Sequence, residues 1–197
     1  MRFLRSEIRG WCGCAAVLAA LSLTPCRPGA AQEDPGRFDV RTAGVTLTSG
    51  VYYLDAWVEY RLSTDARDAL DAGVPLTFDL DVEFIDPRWY WTDETVGRLT
   101  QSYQLQFHAL SERYIVLNLN SEEQNTFATL FSALNFLGRI GELPLIDAAL
   151  LNPNNVYDIR IRTLLRVEAV PDPWGFLAFW RRDWSLRSEW YRWRMQD

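Results

Sequence analysis

The chain has 197 residues, 20 basic against 26 acidic, and nine tryptophans within an aromatic content of 14%. Every basic residue is Arg, and all three cysteines (Cys12, Cys14 and Cys26) lie near the N-terminus. That acidic balance argues against binding nucleic acid or anionic lipid through the whole surface, and a remainder without cysteine excludes disulfides, a thiol nucleophile and cysteine metal sites there.

Residues 1–31 read as an export signal. Arg2, Arg5 and Arg9 precede an apolar run at 12–23, a breaker stretch at 24–28 follows, and Gly29-Ala30-Ala31 supplies the small residues of a signal-peptidase site. The run is about 12 residues, short of the ~20 that a permanent spanning helix needs. Four arginines and Glu7 fall in this segment, so residues 32–197 carry about −9. Cys26 follows the apolar run as a lipid-modified cysteine would, but Pro25 is a poor residue before it. Soluble export is therefore expected ahead of a lipoprotein or an uncleaved N-terminal anchor.

Residues 32–37 form a polar leader containing Pro35 and Gly36, expected to be flexible. Residues 38–197 are expected to be one domain. Residues 38–48 alternate apolar and polar side chains, with a slip near Ala43-Gly44 that predicts a bulge. Ser49-Gly50 predicts a hairpin turn. Over 51–62, Tyr52, Leu54, Ala56, Val58, Tyr60 and Leu62 share one side, and Asp55, Glu59 and Arg61 the other. Ser63 or Thr64 caps a short helix over 65–72, stopped by Gly73. Residues 76–84 alternate Leu76, Phe78, Leu80, Val82 and Phe84 with Thr77, Asp79, Asp81 and Glu83. Residues 101–110 and 113–119 predict another hairpin. Ser121-Glu122-Glu123-Gln124 has the spacing of a capping box, and Phe127, Leu130, Phe131, Leu134 and Leu137 follow at helical spacing until Gly138. Residues 157–167 alternate again, with Tyr157, Ile159, Ile161, Leu165 and Val167 inward.

Strands with one dry and one wet face belong to antiparallel sheets. The expected fold is mainly β: an antiparallel β-sandwich, roughly immunoglobulin-like, with two short helices packed on it. A single curved sheet with helices over one face is the alternative.

Three constellations carry chemistry. Asp79, Asp81 and Glu83 form an acidic ladder, and Arg160, Arg162 and Arg166 a basic one. The acids could hold a cation, but cross-strand pairing explains both ladders and predicts that residues 76–84 and 157–167 are neighbours. Arg88, Trp89 and Trp91, with Tyr90 between them, offer either a stacking platform for a glycan or peptide or an aromatic plug. From Trp174 onward a Trp/Arg-rich C-terminal segment includes Trp180, Trp184, Trp190 and Trp193, interleaved with Arg181, Arg182, Arg187, Arg192 and Arg194. Such a segment either folds back onto the domain or presents a surface to a protein or a membrane. His108, the sole histidine, lies on a polar parity with no acid or nucleophile nearby to make it a catalytic base. No catalytic residue, metal site or cofactor is nominated.

The run Gly50 to Ala56 with Tyr60 and Leu62 carries a family resemblance. So do Ala69-Leu70, Gly73 to Leu76, Arg88-Trp89 and Trp91, then Tyr103 with Tyr114, Ala133-Leu134, Leu137-Gly138 and Pro144-Leu145. Tyr157 with Arg160 and Arg162, Trp184-Ser185-Leu186, Ser188-Glu189-Trp190 and Trp193 complete it. On these residues the chain resembles the proteobacterial domain-of-unknown-function 4390 family. The resemblance implies a periplasmic or secreted protein, encoded beside a membrane sensor kinase, and it nominates no catalytic residue. The expected function is a non-catalytic periplasmic interaction module of the cell envelope, binding an envelope or inner-membrane protein, with peripheral membrane contact as a further expectation. The alternatives are a binding protein for a glycan or peptide at Arg88, Trp89 and Trp91, and, last, an enzyme.

Overall fold

The computed structural model describes residues 34–87, 93–167 and 186–195. In chain order the elements are β1 (Arg37–Thr48), β2 (Val51–Arg61), α1 (Thr64–Asp71), β3 (Leu76–Asp86), β4 (Glu94–His108) and β5 (Arg113–Asn118), followed by β6 (Gln124–Phe127), α2 (Leu130–Gly138), β7 (Arg139–Asp147), β8 (Asp158–Val167) and β9 (Tyr191–Arg194). They form two antiparallel sheets, β1-β2-β7 and β6-β5-β4-β3-β8-β9. The expected two-layer β architecture with two helices is met.

Local chemistry explains the early elements. Ser49 and Gly50 both have positive φ, 52° and 83°, which closes β1 onto β2 in a two-residue turn whose twist matches the strands. The Ser63 hydroxyl accepts the Ala66 N–H and so caps α1. Gly73, at φ 87°, ends that helix: its N–H reaches Leu70 O while the Val74 N–H reaches Ala69 O.

The dry faces meet in one core. Phe38 of β1 lies edge-on to Tyr60 of β2 at 4.9 Å, and Tyr60 edge-on to Phe78 of β3 at 5.1 Å, so three strands from two sheets share one aromatic cluster. A polar link crosses the core. Thr163 Oγ1 donates to Asp79 O at 3.1 Å, which leaves the Tyr60 hydroxyl to donate to Thr163 Oγ1 at 3.0 Å. α2 joins the two sheets along the chain and lies against β2. An added Cβ at Gly138 would fall 2.1 Å from the Val58 carbonyl oxygen, so only glycine lets the helix end approach this closely.

Three expectations are corrected. The bulge in β1 lies between Val40 and Thr42, displacing Arg41, not at Ala43-Gly44. Ser121 to Gln124 caps no helix. Asn118 Oδ1 accepts the N–H groups of Asn120 and Ser121 and the Gln101 amide, while the Asn118 N–H donates to Glu123 O. That side chain turns the segment back into β6, and α2 begins only at Leu130, capped by Thr129. The apolar stripe of α2 is also narrower than expected. Ala133 and Leu137 are buried, Leu134 is half-buried, and Phe131 is 77% exposed.

Leu137→Ala should therefore cost about 2–5 kcal/mol in urea unfolding, and Leu134→Ala well under half of that. Equal losses would mean that α2 is rotated on the sheet. Tyr60 supplies a pH test. Burial pushes its phenol up to about 12. A raised folded pKa stabilises fully below the unfolded value of about 10 and is lost as pH rises toward 12. Stability measured across that window should fall less steeply in Tyr60→Phe than in the unaltered chain.

Candidate functional site

The outer face of β3 carries carboxylates that the fold buries. Pairing with β8 sets Glu83 opposite Arg160 and Asp81 opposite Arg162, the neighbour relation expected from the two ladders. The Glu83 side chain is 2% exposed and is gripped from both sides, by Arg98 of β4 and by Arg160 Nε at 2.7 Å. Arg162 places Nε and an NH₂ nitrogen 3.1 and 3.0 Å from Asp81 Oδ2, while Thr100 Oγ1 donates to Oδ1 at 2.9 Å. Asp79 takes Ser102 Oγ at 2.6 Å and Arg166 at 3.3 Å. Buried carboxylates persist when their lone pairs are filled this completely. These acids are spent on arginine and hydroxyl donors. Among the described residues no group of three or more His, Cys, Asp or Glu side chains is placed to hold a metal ion.

The last described segment folds back along β8. The Leu165 N–H donates to Leu186 O, and Ser188 clasps Thr163 twice, donating its N–H to Thr163 O and accepting the Thr163 N–H on Oγ. β9 then pairs Ile159 with Trp193 and Ile161 with Tyr191. Trp190 lies over two members of the ladder, its ring 4.5 Å from the Arg160 guanidinium carbon and 4.3 Å from that of Arg162. Trp193, in register with inward-facing Ile159, packs against the core instead. The two tryptophans thus occupy opposite faces of the sheet and do not form one patch.

Asp158 organises the adjacent end of the sheet. It accepts Arg192 Nε at 2.9 Å and Arg194 Nε at 3.3 Å, and Arg192 also reaches Asp93 at 3.1 Å. Partial burial works against the Arg192 charge, yet the hydrogen bond to Asp158 and the proximity of Asp93 hold its pKa above the ordinary value. Asp86, on the other flank of the β3–β4 connection, accepts the Asn155 amide at 3.1 Å. Arg88, Trp89, Trp91, Trp180 and Trp184 lie outside the described residues. His108 is exposed, and its Nδ1 meets Ser111 Oγ at 2.9 Å.

Sequence reasoning passed over several residues. Asp158 and Arg192 meet only across β8 and β9, and nothing in their spacing announces it. Trp57 did carry a signal: it is an indole on the wet parity of β2, with Asp55 and Glu59. It is 52% exposed and lines a groove on the outer face of the three-stranded sheet.

The chain thus holds a mainly β, two-sheet domain with two helices, whose larger sheet ends in the last described strand, β9, and is studded with arginine–carboxylate pairs. It belongs to the family described as Domain of unknown function (DUF4390), whose model matches residues 36–194. No curated protein and no solved structure matches it significantly. Of the residues on which the resemblance rests, Arg160, Arg162, Ser188 and Trp190 come together as one unit in the fold.

Glu83→Ala strips two arginines of their shared acceptor. Both reach solvent, so the expected loss of stability is about 1–3 kcal/mol, below that of a fully buried broken pair. Denaturant unfolding should give this loss at low and at 0.5 M salt alike; a loss confined to low salt would mean the pair is a surface contact.

Proposed function

We propose that the protein is a non-catalytic interaction module of the proteobacterial cell envelope, exported to the periplasm by residues 1–31 and binding an envelope or inner-membrane protein. The observation that carries this reading is the Asp158–Arg192–Asp93 link. It ties the strand that follows Trp190 to Asp93, at the start of the β4 side of the sheet. Trp and Arg, the residue types that dominate binding hot spots, are thereby anchored side by side on one sheet at Trp190, Arg160, Arg162 and Arg192. The anchoring is rigid: Trp190 is held over Arg160 and Arg162, and those arginines are held by Glu83 and Asp81. Side chains fixed before binding lose less entropy on association, which favours recognition by a preformed surface.

The test is crosslinking in cells that carry the tagged full-length chain, with the captured material identified and Trp190→Ala run in parallel. Trp190 packs on an outer face, so this variant should keep its circular dichroism and unfolding midpoint within a few degrees. A single envelope protein captured by the unaltered chain and lost in Trp190→Ala would support the module. Capture of phospholipid alone, or retention of the chain in the cytosol with residues 1–31 attached, would overturn it.

A further inference from the structure

We propose that the outer face of the three-stranded sheet carries a second recognition site, a groove over Trp57 that takes an acidic saccharide. The groove has a volume of about 410 Å³ and is lined by Thr42, Asp55, Ala56, Trp57, Arg139 and Ile140. Trp57 sits on β2, the central strand of its sheet, with Thr42 of β1 and Arg139 of β7 directly across from it. An indole on a central strand, left half in water between two polar neighbours, presents a flat apolar face that the fold itself does not use.

The groove offers one cation and one anion, Arg139 and Asp55. On the same sheet the arginines of β1 and β2 are neutralised locally: Arg37 and Arg41 meet Asp39, and Arg41 and Arg61 meet Glu59. Arg139 is exposed and has no ion pair among the described residues, so its planar fork of donors is open to a carboxylate. Asp55 is held in place by the Glu142 N–H, which donates to Oδ1 at 3.2 Å. Its second oxygen has no partner among the described residues and can accept a hydroxyl. An aromatic face, a hydroxyl acceptor and an unpaired guanidinium suit the C–H face, the hydroxyls and the carboxylate of an acidic pyranose.

Geometry argues against two other occupants. An extended peptide adds to a sheet by pairing with a free backbone edge, but β2 has strands on both sides, so recognition over Trp57 has to come from side chains. A purely apolar ligand would leave its upper face in water in a groove this open, and it would bring nothing to Arg139 or Asp55. The site lies on the sheet that does not carry Trp190 and does not depend on the envelope-module reading.

The experiment is an NMR titration of the isotope-labelled protein with N-acetylmuramic acid and, separately, N-acetylglucosamine, a pair that differs by one lactyl carboxylate. The Trp57 indole resonance is assigned by its loss in Trp57→Phe. The acidic sugar should shift that resonance saturably in the millimolar range and bind about tenfold more tightly than the neutral one, the size of one charge-assisted contact. Arg139→Gln should erase this preference, and Trp57→Ala should abolish the saturable binding. Both residues are exposed, so unfolding midpoints should stay unchanged and will confirm folded variants. An unmoved Trp57 indole, equal affinity for the two sugars, or a preference that survives Arg139→Gln would each overturn the proposal.

Discussion

A strand buried on both sides has to satisfy two environments with alternate residues. β3 does so by giving Leu76, Phe78, Leu80, Val82 and Phe84 to the core and Asp79, Asp81 and Glu83 to a second, polar layer. Both halves fix the register: a slip of one residue would turn the apolar side chains out of the core, and it would part the acids from their arginines. Each carboxylate needs its own guanidinium, and a slip of one residue would bury three charges without partners, which costs several kcal/mol apiece. Register between β3 and β8 follows from both requirements. With it comes the line of arginines on which the rest of the outer face is built.

The C-terminal segment completes what the ladder begins. Ser188 satisfies the Thr163 backbone on the edge of β8, Trp190 lies on the outward arginines, and β9 closes that edge with Trp193 turned to the core. An edge strand left open invites pairing with foreign chains, so this closure also protects the fold. The rings of residues 186–195 therefore divide between the two faces of the sheet. Residues two apart on a strand share a face, and Trp190 and Trp193, three apart, do not.

The two sheets share one core and have different outer surfaces. The six-stranded sheet covers its outer acids with arginine and tryptophan, which leaves a rigid, charge-matched plane. The three-stranded sheet pairs Asp39 and Glu59 with three arginines at one end and leaves Trp57 and Arg139 unmatched at the other. The two surfaces therefore differ in chemistry.

Sequence legibility followed the range of the interactions. Period-2 alternation placed β2, β3 and β8 and their inward faces, and the Ser49-Gly50 turn, the Ser63 cap and the Gly73 stop were readable because each acts within a few residues. Matched acidic and basic ladders even exposed one tertiary contact, since charges spaced by two on two strands can neutralise one another only if the strands are adjacent. The false capping box shows where this stops: Ser121 to Gln124 has helix-start chemistry, but the Asn118 side chain and pairing with β5 turned it into a hairpin. β7 escaped notice because Gly141, Pro144 and a bulge with Glu142 at φ 49° break its alternation. By itself the sequence determined the strand faces, the turns and the partner of the acidic strand, all carried by local geometry or charge balance. Only the tertiary structure decided that Trp190 and Trp193 part company, that Arg192 joins Asp158 to Asp93, and that Arg139 stands unpaired beside Trp57, because each depends on which distant strand lies alongside.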